Sequence, residues 1–115
     1  MVADHIRLSD SMKSIAEQIG VSPPKDLSKQ DKQRMAKLQS LSGQQFDDAY
    51  ITVMVKDHQN DNDDFRTEAE QTRNQALKQA AEDGNQIIAQ HLQMIDQIAK
   101  NHHLMNDKGK LIAAR

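Results

Sequence analysis

Apolar residues recur along the chain at steps of three and four, the spacing of one face of an α-helix. Over about residues 1–19 the stripe is Val2, His5, Leu8, Met12, Ile15 and Ile19, and Gly20 suits the left-handed position that closes a helix. Val21-Ser22-Pro23-Pro24-Lys25 reads as an extended connection, because proline disfavours helical geometry in the residue before it. A short second helix follows, capped by Asp26 or Ser28 and carrying Met35, Leu38 and Leu41 on one side. Gly43 marks a break. The third helix, about residues 45–72, opens with Phe46, Ala49, Tyr50, Val53 and Met54 and continues inward with Phe65 and Ala69. Asn74 is placed to cap a fourth helix over about 75–101, whose stripe is Leu77, Ala80, Gly84, Ile87, His91, Ile95, Ile98 and His102. Gly84 is expected to weaken or kink that helix, at about 1 kcal/mol relative to alanine. No window alternates apolar and polar residues as a strand does, so the chain reads as all-α. The bundle domain is placed at 1–104, and 105–115, without periodicity, reads as a frayed tail.

Sliding the chain against itself by 53 positions lays Met1-Val2-Ala3-Asp4-His5 over Met54-Val55-Lys56-Asp57-His58 and Ala16-Glu17-Gln18 over Ala69-Glu70-Gln71. Eight identities in twenty ungapped positions point to a duplicated helix pair folded into an antiparallel bundle. The third helix has about nine further residues before Met54, whereas its counterpart begins at Met1. The first helix is therefore expected to be cut short, and the chain to be a fragment or a processed form. Such a helix would leave apolar surface for a homodimer or a helix-swapped oligomer.

Composition narrows the functional classes. The 115 residues are 37% hydrophobic and 28% charged, with mean hydropathy −0.82, too polar for a transmembrane span. Cysteine is absent, which removes disulfides, thiolate metal sites and cysteine nucleophiles. Fifteen basic against seventeen acidic residues give a net charge of −2, with no positive field to draw in nucleic acid or anionic lipid. Lys25, Lys29, Lys32, Arg34 and Lys37 cluster on the second helix, but Asp26 and Asp31 dilute them and no aromatic residue stands among them to stack on bases or anchor in lipid. The acidic run Asp57, Asp61, Asp63, Asp64, Glu68, Glu70 lacks the glycine that a Ca²⁺ loop of EF-hand type needs at its sixth position, and reads as a solvated helix face. No Gly-x-Ser-x-Gly elbow or phosphate-cradling glycine loop occurs, and the protein is read as non-enzymatic.

Met-Val-x-Asp-His, a proline-containing loop, and Leu41-Ser42-Gly43-x-x-Phe46-Asp47-x-x-Tyr50-Ile51 leading into Met54-Val55-x-Asp57-His58 resemble a bacterial family. It is domain of unknown function family 4142, often labelled predicted outer membrane proteins. The resemblance covers about residues 1–104, and His91-Leu92 matches the family's third recurrent histidine. It implies a ferritin-like four-helix bundle of periplasmic or outer-membrane-associated proteins. Members usually carry a signal peptide and a complete leading helix, and this chain departs from both.

Three of the five histidines, His5, His58 and His91, lie on inward stripes. Duplication puts His5 and His58 at equivalent points, and an antiparallel bundle could bring His91 to the same level. Three imidazoles with a carboxylate suit one divalent transition metal, Zn²⁺, Cu²⁺ or Fe²⁺, and Asp61, one turn beyond His58, is the candidate fourth ligand. Asp4 and Asp57 point about 100° away from their histidines, and with Tyr50 are candidates to hydrogen-bond the rings rather than the ion. The alternative is a metal-free polar layer of the same Asp–His pairs that sets helix register. Di-iron chemistry is disfavoured, because no glutamate is followed by histidine three residues later. His102 and His103, at the end of the fourth helix, read as partners of its dipole.

Overall fold

A computed structural model describes residues 1–22 and 26–112, which form four helices: α1 (Val2–Gln18), α2 (Lys29–Gln39), α3 (Gly43–Gln71) and α4 (Gln75–Asn101). The expected extended connection at Pro23-Pro24-Lys25 lies outside the described residues. Among those described, no strand forms beyond an isolated bridge between Met105 and Leu111. Among the described residues, no helix is long and apolar enough to cross a membrane. The architecture is an all-helical bundle.

Local chemistry sets the helix ends. Ser28 Oγ accepts from the amide of Asp31 at 3.1 Å and Asn74 Oδ1 from that of Leu77 at 2.9 Å, each satisfying a donor that a helix start leaves over. Gly20 takes φ +76°, with its amide on the Glu17 carbonyl and that of Val21 on Ala16, the paired closure of a left-handed C-terminus. The end of α4 repeats this closure without glycine. His103 takes φ 60°, its amide donating to the Lys100 carbonyl and that of Leu104 to Ala99.

The chain divides into two compact units, Met1–Pro24 with His58–His91, and Lys25–Asp57 with Leu92–Arg115. In the first, α1 packs with the later half of α3 and the earlier half of α4. Those two halves run antiparallel, since His58 meets His91, Asn62 meets Asn85 and Phe65 meets Gly84. Gly84 does not interrupt α4; it is where the helices close. A Cβ there would stand 2.8 Å from Phe65 Cε1 and 3.2 Å from Leu8 Cδ1. In α1 no residue is fully buried; Leu8, Met12 and Ile15 are half-buried, while Val2 and Ile19, expected on the inward stripe, are exposed.

In the second unit Val55, Ile95, Ala99 and Met105 form the core, with Ile51, Met54, Leu104 and Leu111 against it. Asp57 on α3 accepts from Arg34 on α2 at 2.7 Å. The segment after α4 is not frayed over 105–112. Met105 is buried, Asn106 N–H bonds the Lys110 carbonyl, and Ile112 N–H returns to Leu104. Two apolar side chains, Met105 and Leu111, hold it down where periodicity had nothing to report.

Candidate metal centre

All three stripe histidines fall in the first unit, His5 from α1, His58 from α3 and His91 from α4. Their ring centroids are 5.4 Å apart for His5–His58, 5.0 Å for His5–His91 and 6.0 Å for His58–His91. His58 is 4% and His91 2% exposed, and His5 is half-buried. One nitrogen from each ring lies within 4.8 Å of the other two, so the three can share one ion. No other group of this kind occurs among the described residues.

The contacts define the roles of individual atoms. His91 Nδ1 faces His5 Nε2 at 3.2 Å, and His91 Nε2 meets Asp4 Oδ2 at 2.9 Å. The second oxygen of Asp4 bonds Arg7, one turn along α1. The hydrogen bond from His91, with the Arg7 charge behind it, holds the Asp4 carboxyl below its ordinary range. A carboxylate only accepts, so Nε2 of His91 carries a proton, and in the neutral ring Nδ1 presents its lone pair to the cluster. Burial pushes the His5 imidazole below its usual value, His91 and His58 push the same way, and Asp61 pulls back. A neutral His5 is the form that can ligate.

A tetrahedral ion with bonds of about 2.05 Å to nitrogen separates its ligands by about 3.3 Å. The His5–His91 pair, at 3.2 Å, stands at that edge length. A carboxylate on the far nitrogen of a ligating histidine is the usual device for aiming the ring at a metal. Imidazole-only donors match Zn²⁺ and its neighbours in the first transition row rather than Mg²⁺ or Ca²⁺, which take oxygen.

The other candidates are placed differently. Asp61 does not join the group of donor atoms; one turn along α3 from His58, it lines an adjoining hollow with Met12, Asp64, Phe65, Glu68 and Ala81. Asp57 belongs to the other unit, engaged by Arg34, and Tyr50 is half exposed there, stacked on Phe46 at 5.8 Å. Asp4, which points away from its neighbour His5, hydrogen-bonds the ring of His91 across helices. Arg7 is the member that sequence reasoning missed, and its signal was the three-residue spacing from Asp4 on one helix.

The family model described as Domain of unknown function (DUF4142) matches residues 1–98 of the 115. The chain belongs to this family. Neither the curated proteins nor the solved structures give a significant match. Within this DUF4142 domain the match takes in all three histidines together with Asp4 and Arg7. Residues 105–112, which contribute Met105 and Leu111 to the second core, lie beyond it.

Proposed function

We propose that this DUF4142 protein is a non-enzymatic metal-binding helical protein of the bacterial envelope. It holds one divalent transition metal ion (Zn²⁺, Cu²⁺ or Fe²⁺) on His5, His58 and His91. The observation that carries this is the convergence of three imidazole nitrogens within 4.8 Å at a largely buried point, with Asp4 bonded to the far nitrogen of His91. The periplasmic or outer-membrane-associated location rests on the family resemblance. Association through α1, as a homodimer or by helix exchange, belongs to the same reading and is supported by the exposure of Val2 (75%) and Ile6 (57%).

A second reading, the metal-free polar layer, is favoured by one contact: the His5–His91 pair is already within hydrogen-bonding distance. Calorimetric titration of untagged, chelator-stripped protein with Zn²⁺ separates the two. The metal reading expects about one ion per chain and a melting temperature that falls when chelator is added. No uptake, with indifference to chelator, would leave the polar layer standing.

A further inference from the structure

Two of the three rings face each other across 3.2 Å, and their surroundings decide which nitrogen donates. Asp4 accepts the hydrogen bond from Nε2–H of His91, so in the neutral ring His91 Nδ1 has a lone pair and nothing to donate. For the 3.2 Å contact to be a hydrogen bond, His5 must carry its proton on Nε2 and donate it to His91 Nδ1. An ion seated on this edge needs lone pairs on both facing nitrogens. His91 already offers one; His5 does not.

We infer that metal binding switches His5 from the Nε2–H to the Nδ1–H tautomer while His91 keeps its proton on Nε2, with Asp4 as the positioning residue that fixes His91. This rests on the metal reading above. The proton balance closes for neutral rings: water removes the proton from His5 Nε2, the ion takes that lone pair, and a proton returns from water to Nδ1. No net proton is released. His5 is half-buried, so its ring has access to solvent for the exchange, whereas His91 is enclosed and anchored. The two histidines therefore divide the work, one a fixed ligand and the other adaptable. The site ligates through unlike nitrogens, Nδ1 of His91 and Nε2 of His5. Arg7 supports the arrangement by holding the other oxygen of Asp4.

The test is the long-range ¹H–¹⁵N spectrum of the imidazole rings in uniformly labelled protein at pH 8, where histidines are neutral, before and after one equivalent of Zn²⁺. The proposal expects His91 in the Nε2–H form in both states and His5 moving from Nε2–H to Nδ1–H. His91 protonated on Nδ1 in the metal-free protein overturns it, as does a metal-loaded protein in which His5 retains Nε2–H. If Zn²⁺ perturbs no ring nitrogen, the metal reading itself fails, a result distinct from binding without a switch. Asp4→Leu should abolish the His91 tautomer preference and weaken Zn²⁺ binding by about 10- to 100-fold. Asp4→Asn, whose amide oxygen still accepts, should fall between. An Asp4→Leu protein that keeps the His91 tautomer and full affinity contradicts the positioning role, and the wild-type spectra decide the switch without any variant.

Discussion

Asp4 on α1 accepts a hydrogen bond from His91 on α4 at 2.9 Å, so the segment that supplies one candidate ligand also aims another. The two residues are 87 positions apart in sequence. Their contact makes the docking of α1 and the geometry of the histidine cluster a single event.

Acid should act on this cluster in two steps. His5 is held below 6.5 in the folded protein by burial and by its histidine neighbours, so folding favours its neutral form. Its contribution is fully present above pH 6.5 and is lost as pH falls through the depressed value. Asp4 is held below 3.8, chiefly by the His91 hydrogen bond, so its contribution is present above pH 3.8 and is lost at still lower pH. Thermal melts of metal-free protein should fall in the first window, and His5→Gln should flatten that limb while leaving the lower one. An unchanged first limb in His5→Gln would mean that His5 does not set it.

Metal should protect α1 more than α2. No side chain of α1 is fully buried, so apolar packing holds it weakly, and its side-chain polar contacts with α4 run through Asp4 and His5 to His91. An ion at 100 times its dissociation constant adds about 2.7 kcal/mol to the bound state. Hydrogen exchange with and without Zn²⁺ should show slowed amides across Val2–Gln18 and little change across Lys29–Gln39, and His5→Ala should erase the difference. Protection of both helices alike would disconnect the ion from α1.

Gly84→Ala should destabilise despite the better helix propensity of alanine. The new methyl would meet Phe65 at 2.8 Å and Leu8 at 3.2 Å, and overpacking of that kind costs about 1–3 kcal/mol against the roughly 1 kcal/mol gained in α4. A net loss of about 1 kcal/mol is expected in urea denaturation. A more stable variant would show that the Phe65 ring yields freely.

His103→Gly should stabilise. His103 closes α4 at φ 60°, where a side chain costs about 1 kcal/mol that glycine avoids, and the closing bonds come from backbone amides that the change keeps. The same denaturation experiment checks this, and a loss of stability would mean that the imidazole makes a contact worth more than the strain.

The helix ends at Ser28, Gly20 and Asn74 were legible because each uses a side chain, or the lack of one, suited to that position. His103 was not, since nothing in its residue type announces a left-handed backbone. The stripe on α4 was read too strongly from size. Gly84, His91 and Ile95 of that stripe are buried, but so are Ala81, Ile88 and Ala99 beside it, while Ile98 is 46% exposed. The inward face lies about one position further round the helix, and small residues such as alanine fit where helices approach closely. At the site, duplication and the inward stripes were enough to group His5, His58 and His91. The placement of the carboxylates was legible in part: Asp4 does hydrogen-bond a ring, but that of His91 on a distant helix, while Arg34 competes for Asp57 and Asp61 lines the adjoining hollow. Spacing tells which face a side chain occupies; it does not tell which partner wins it.

X-ray absorption at the zinc edge, on untagged protein loaded with one equivalent and passed through a desalting column, tests the central claim most directly. Three imidazole nitrogens at about 2.0–2.1 Å are expected in the first coordination shell, and two should remain in His58→Ala. A shell of oxygen scatterers alone, or a protein that leaves the column without its ion, would contradict the account.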